Sequence, residues 1–177
     1  LREKIKALEH RIMDMVRHGN ENQVIAERLY RWARALFLVQ SGRALPPTLV
    51  AELQNQFIIP QVALKVWDVD ARYGGEPFAN GVSEDAKSFA TSLMQPYVGV
   101  NSGFEPVSWL DDAGTAMSVA MIPLRAGGPA AGAPGAAFGM LVLASPDPQR
   151  FSAGMGTDFL ERIAELASAS LMRLRPR

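Results

Sequence analysis

The sequence predicts an α+β protein: an antiparallel sheet flanked by helices and preceded by a long, coiled-coil-like N-terminal helix. Three observations predict it. Apolar residues recur at helical a/d spacing through residues 1–39. Two apolar runs, 116–124 and 138–144, flank a stretch of Gly, Ala and Pro that turns the chain back on itself, which makes the two strands antiparallel. Helical stripes at both ends of the chain are placed to cover one face of the resulting sheet.

The first helix carries Leu1, Ile5, Leu8, Ile12 and Met15 at spacings of 4, 3, 4 and 3, with charged residues in most of the intervening positions. Ile25, Leu29, Trp32, Leu36 and Val39 repeat the pattern. Between the two sets, Gly19 has the character of a helix C-cap, and Asn20 with Gln23 resembles a capping box, so either two helices meet here or one bends. An apolar seam on a solvated helix needs a partner, from a second chain or from its own domain. Leu1, Ile5, Leu8, Ile12, Met15, Ile25, Leu29, Trp32 and Leu36 are therefore the candidate dimerisation residues, and a homodimer is the expected assembly. Residues 1–43 form the helical dimerisation and signalling segment in this reading, and residues 44–177 the folded domain.

Pro46 and Pro47 suit the first turn of a second helix that points Leu49, Leu53 and Phe57 inward. Residues 61–69, rich in β-branched side chains, read as a strand, and 71–77 as a loop. Ser83 is a predicted N-cap for a helix reaching about Leu93, with Phe89 and Leu93 on one face. Residues 96–100 form a short strand, and 105–110 a single helical turn. The strands at 116–124 and 138–144 follow. Thr157 is then predicted to cap a final helix with Leu160, Ile163, Ala167 and Leu171 as its apolar stripe.

Composition narrows the chemistry. The chain has 177 residues, 48% of them hydrophobic and 20% charged, as a folded domain with one extension requires. Basic and acidic residues balance at 18 each, but residues 1–43 hold nine basic and five acidic side chains. That excess reads as a solvated helix face, and no nucleic-acid partner is predicted. Cysteine is absent, which removes disulfides, thiolate metal sites and cysteine nucleophiles and makes the cytoplasm the expected compartment. No segment has the ~20 apolar residues that span a bilayer, so no membrane partner is expected. The chain opens on Leu1 rather than Met, which predicts a trimmed start.

The two histidines, His10 and His18, both lie in the N-terminal helix, two turns apart. A histidine metal site or a Ser–His–Asp triad within the domain is therefore not expected. Asp68-Val69-Asp70 opens like a calcium loop, but Arg72, Tyr73 and Ala79 stand where an oxygen ligand, Gly and Glu are needed. Gly127, Gly128 and Gly132 lack the Gly-Lys-Ser/Thr of a phosphate loop. Gly154-Met155-Gly156-Thr157 is a glycine-flanked turn of anion-binding type, with Asp158 where an anion would go.

Ser118-Val119-Ala120-Met121-Ile122-Pro123-Leu124, Phe138-Gly139-Met140-Leu141-Val142-Leu143-Ala144-Ser145, and the run from Asp147-Pro148-Gln149-Arg150-Phe151 to Gly154-Met155-Gly156-Thr157-Asp158-Phe159-Leu160 resemble the DUF484 family. Its pattern is an S-A-x-x-P-L strand, a G-x-L-x-L-x-S strand and D-P-x-R-F-x-x-G-M-G-T-D-F-L. Pro96-Tyr97-Val98-Gly99 and Trp109-Leu110 fit as well, with Val98 where the family often has Cys. The element order is similar to the GAF fold, which places terminal helices on one face of an antiparallel sheet and a ligand pocket on the other. The resemblance implies a bacterial GAF-like protein of uncharacterised function. It also implies a candidate pocket lined by Trp67, Phe78, Phe89, Tyr97, Trp109, Met121 and Met140, with Arg125 as its charged group. The cysteines or histidine of bilin-binding and sulfoxide-reducing GAF domains are missing from this domain, as is the Asn-Lys-x-Phe-Asp-Glu signature of cyclic-nucleotide binders. The expectation is a non-catalytic sensory or regulatory module that binds an unknown small molecule, with no catalytic residue, metal or cofactor. The alternative is an interaction scaffold without a ligand.

Overall fold

Helix α1 runs without interruption from Arg2 to Leu38 in a computed structural model that describes residues 1–127, 135–152 and 157–176. Gly19 neither ends nor caps it. A C-terminal cap of that type needs a left-handed residue, and Gly19 is not among the glycines with positive φ. One glycine inside a helix costs about 1 kcal/mol, which a helix of 37 residues absorbs.

The structure divides the predicted seam. Leu29, Trp32 and Leu36 are buried against the protein's own domain, with Ile25 packed at the margin. Trp32 is completely buried, and its indole Nε1 donates to the Leu49 carbonyl at 3.1 Å. Leu1, Ile5, Leu8, Ile12 and Met15 are all exposed. The second half of the seam is thus spent within the monomer, and only the first half remains open to another chain.

Helix α2 (Leu45–Phe57) starts on the two prolines and buries Leu45, Leu49, Leu53 and Phe57. It stops at Ile58, whose φ of 52° lies in the left-handed region. Arg150 completes this end, donating to the Phe57 carbonyl at 2.8 Å and the Ile58 carbonyl at 3.2 Å. A β-branched residue is strained there, and the Ile58 side chain is mostly exposed, so it returns little burial. Ile58→Gly is expected to raise stability by about 1 kcal/mol, read as a higher urea midpoint at unchanged slope.

Strand β1 (Gln61–Val66) is shorter than its apolar run, because Asp68 turns to a φ of 57° and breaks the extended path. Helix α3 (Glu84–Ser92) is capped as predicted, the Ser83 hydroxyl accepting from the Ala86 N–H at 3.0 Å. Strands β2 (Tyr97–Val100), β3 (Ser118–Arg125) and β4 (Ala137–Ser145) complete a sheet of order β1-β4-β3-β2, antiparallel throughout. Helix α4 (Asp158–Leu171) buries Leu160, Ile163, Ala167 and Leu171. Thr157 does not cap it through its side chain: its backbone is already helical, and its hydroxyl lies 3.5 Å from the Glu161 carboxylate instead.

Alternation along the strands builds two layers. Leu64 and Val66, Ala120, Ile122 and Leu124, and Leu141 and Leu143 face α1, α2 and α4. Ala63 and Trp67, Val119 and Met121, and Met140, Val142 and Ala144 face α3. The alternation slips once. Leu124 pairs with Gly139 but Arg125 pairs with Ala137, so Phe138 is an extra residue, a β-bulge that sends its ring to the helix side. The predicted Gly/Ala/Pro loop between β3 and β4 falls largely outside the described residues, and the glycine turn at 154–156 falls wholly outside them.

Candidate functional site

The α3 face of the sheet holds most of the predicted pocket residues. β-strand parity sets Met140 on β4, Met121 on β3 and Trp67, the residue just after β1, beneath α3, and all three are buried in one cluster. Helix α3 reaches this layer through small residues, Ala86 and Ala90, so its backbone approaches the strands closely. Phe89, Tyr97 and Trp109 are half-buried around the rim. Phe104 links two of them. Its ring stacks on Phe89 at 5.7 Å and meets Tyr97 edge-on at 4.9 Å. Phe78 lies apart, in a short 3₁₀ turn beside β1 that delivers its ring to the helix-side cluster.

The polar atoms of this face are mostly committed. Trp67 Nε1 donates to the Ala137 carbonyl at 2.8 Å, and the Tyr97 hydroxyl to the Val100 carbonyl at 3.0 Å. Arg125 clamps the end of α3 to the base of the β3–β4 hairpin. Its Nη2 donates to the Thr91 carbonyl at 2.7 Å and the Ala90 carbonyl at 3.2 Å, and its Nε to the Gly135 carbonyl at 2.9 Å. The last carbonyls of a helix attract a cation by their partial negative charge. Thr91 adds a second tie, its hydroxyl accepting from the Ala137 N–H at 3.1 Å.

Lys65 shares the α3 face with Ala63 and Trp67, and it donates to the Pro77 carbonyl at 2.7 Å. Burial lowers the pKa of both Lys65 and Arg125 below their ordinary values. Trp109 differs: its buried Nε1 has no hydrogen-bond partner among the described residues. A buried donor without an acceptor costs about 1–3 kcal/mol.

Lys65, Phe104 and Thr91 are among the members of this face that the sequence reading missed. Lys65 had a legible signal, an inward position two residues from both Ala63 and Trp67. Phe104 and Thr91 sit in irregular backbone or at a helix end and carried none. His10 and His18 are exposed on α1, far along the chain from this face. No group of three His, Cys, Asp or Glu side chains able to hold a metal occurs among the described residues. The described residues give this face a rim of half-buried aromatic rings over fully buried methionines.

The fold has counterparts among solved structures. One is a GAF domain assigned to a sensor histidine kinase of Pseudomonas syringae pv. tomato, 18% identical, with a TM-score of 0.54 and coverage of 89% of this chain and 92% of that one. The GAF domain of an Acinetobacter phosphoenolpyruvate-protein phosphotransferase is 16% identical, with a TM-score of 0.57 over 84% of this chain and 92% of its own. Free methionine-R-sulfoxide reductase of Neisseria meningitidis, solved with its substrate, is 15% identical, with a TM-score of 0.54 over 84% and 88%. At these identities the likeness is one of fold: the domain is GAF-like. No curated protein matches the chain significantly. No helix among the described residues is long and apolar enough to cross a membrane. The family described as "Protein of unknown function, DUF484" matches residues 1–175, in agreement with the sequence motifs, and the chain belongs to that family.

Proposed function

We propose that this protein is a non-catalytic, cytoplasmic sensory or regulatory module, in which a GAF-like domain (residues 44–177) reports through an N-terminal helical segment (residues 1–43) that associates as a homodimer. The observation that carries this reading is the division of α1. One helix has its C-terminal part buried in the domain and its N-terminal apolar seam exposed, so the domain and any partner helix share a single rod. A change in the domain core that shifts Trp32 or Leu36 is then felt at the association surface, which is the coupling a regulatory module needs.

The α3 face is the place for a small molecule, bound against Trp109, Tyr97 and Phe89 with Met121 and Met140 behind them. The half-buried rings of Phe89, Tyr97 and Trp109, which remain partly open to solvent, support it. An enzymatic role has little to draw on, since cysteine is absent and both histidines lie on α1.

Light scattering on the purified chain at about 100 µM tests the dimer: a mass near twice 19.2 kDa is expected, and a strict monomer overturns it. A thermal-shift screen of a metabolite library tests the ligand, because a binder at 100 times its Kd adds about 2.7 kcal/mol. A hit whose shift vanishes in Trp109→Phe supports the α3 face. A screen without hits favours the scaffold reading, which the close packing of Met121 and Met140 also favours.

A further inference from the structure

We infer that the exposed half of α1 pairs with a second copy of itself as a parallel, in-register, two-stranded coiled coil. This rests on the dimer reading above and specifies its geometry. With Leu1, Leu8 and Met15 at d, the a positions are Ile5 and Ile12. β-Branched residues at a with Leu at d favour two parallel strands, because that side-chain geometry fits the holes of a parallel dimer.

Charge decides direction. In the parallel register, g-position Lys4 faces e-position Glu9 of the partner helix, an attractive pair formed twice. The antiparallel alignment of greatest overlap sets Ile5 against Met15 and Leu8 against Ile12. It then places Glu9 opposite Glu9 and Arg11 opposite Arg11, two like-charge contacts. Lys4 and Glu9 form no ion pair within their own chain among the described residues, so both are available.

The domain does not obstruct this pairing. At about 100° per residue, the seam of Leu1 to Met15 and the domain-facing stripe of Ile25 to Leu36 are offset by about 110° around the helix axis. A partner helix therefore approaches from a direction that α2 and α4 leave open. The heptad also ends where the monomer needs it to: its next a and d positions are Gly19 and Asn22, which give a partner little to hold.

The absence of native cysteine makes the test clean. Ile5→Cys and Met15→Cys variants of the full chain, one carrying a mass tag, are oxidised mildly, alone and mixed. Parallel pairing predicts 5–5 and 15–15 crosslinks and no 5–15 crosslink, since only antiparallel chains bring position 5 beside position 15, and they hold the two copies of position 5 about 15 Å apart along the axis. A dimer by light scattering that yields 5–15 crosslinks overturns the parallel register and leaves the dimer intact, whereas a monomer overturns both. Charge reversal tests it without cysteine. Lys4→Glu is expected to loosen the dimer about tenfold, and adding Glu9→Lys to restore it. Failure of the double variant to restore affinity would sink the proposed register.

Discussion

Trp32→Ala is expected to destabilise the protein by about 3–5 kcal/mol, enough to unfold a large fraction of a marginally stable domain. The indole is wholly buried where α1 crosses α2, among Leu45, Leu49, Leu53 and the α4 stripe. Truncation removes its buried area, leaves a cavity, and strips the Leu49 carbonyl of its donor at 3.1 Å. Trp32→Phe separates these terms in part, keeping most of the volume while removing the N–H and two ring carbons, and is expected to cost less, about 1–3 kcal/mol. Urea unfolding followed by far-ultraviolet circular dichroism measures both, as a lower midpoint at unchanged slope. A loss below about 1 kcal/mol for Trp32→Ala would mean that α1 is not anchored as described.

The second large effect separates core from pocket on the α3 face. Trp67→Ala is expected to cost about 3–5 kcal/mol, because the ring is buried among Ala63, Met140 and Val142 and its N–H is bonded to Ala137. A residue lining an open cleft gives up much less when shortened, since its ring is already in contact with water there. Trp109→Phe provides the contrast. Its Nε1 has no partner among the described residues to lose, so the change is expected to be neutral or slightly stabilising in the ligand-free protein. Parallel urea melts of the two variants show how much of the fold's stability each tryptophan carries.

Much of the architecture was legible because it depends on periodicity. Leu49, Leu53 and Phe57, and Leu160, Ile163, Ala167 and Leu171, lie on single helical faces, and those faces are the buried ones. Ser83 was readable as a cap because its chemistry is local. What could not be read depends on single backbone conformations or on distant neighbours. No residue type announces that Phe138 is one residue too many for its strand, that Ile58 is left-handed, or that Asp68 ends β1 before its apolar run is finished. The first helix shows the same limit from the other side. Its spacing marks two seams, but spacing does not say what covers a seam, and the domain itself covers the second. Among the pocket candidates, Trp67, Met121 and Met140 share a face by strand parity, while Phe78 comes from a turn with no parity to follow.

The exposed part of α1 also has a mechanical consequence. Residues 1–24 lie ahead of the first side chain that packs on the domain, Ile25, and as a stiff rod they reach about 36 Å beyond it. A rod fixed at one end magnifies angle into distance: a tilt of about 10° at the Trp32 anchor moves the far tip, about 46 Å away, by about 8 Å, more than one helical turn. Sub-ångström repacking around a single indole would then become a displacement large enough to rearrange whatever holds the other end.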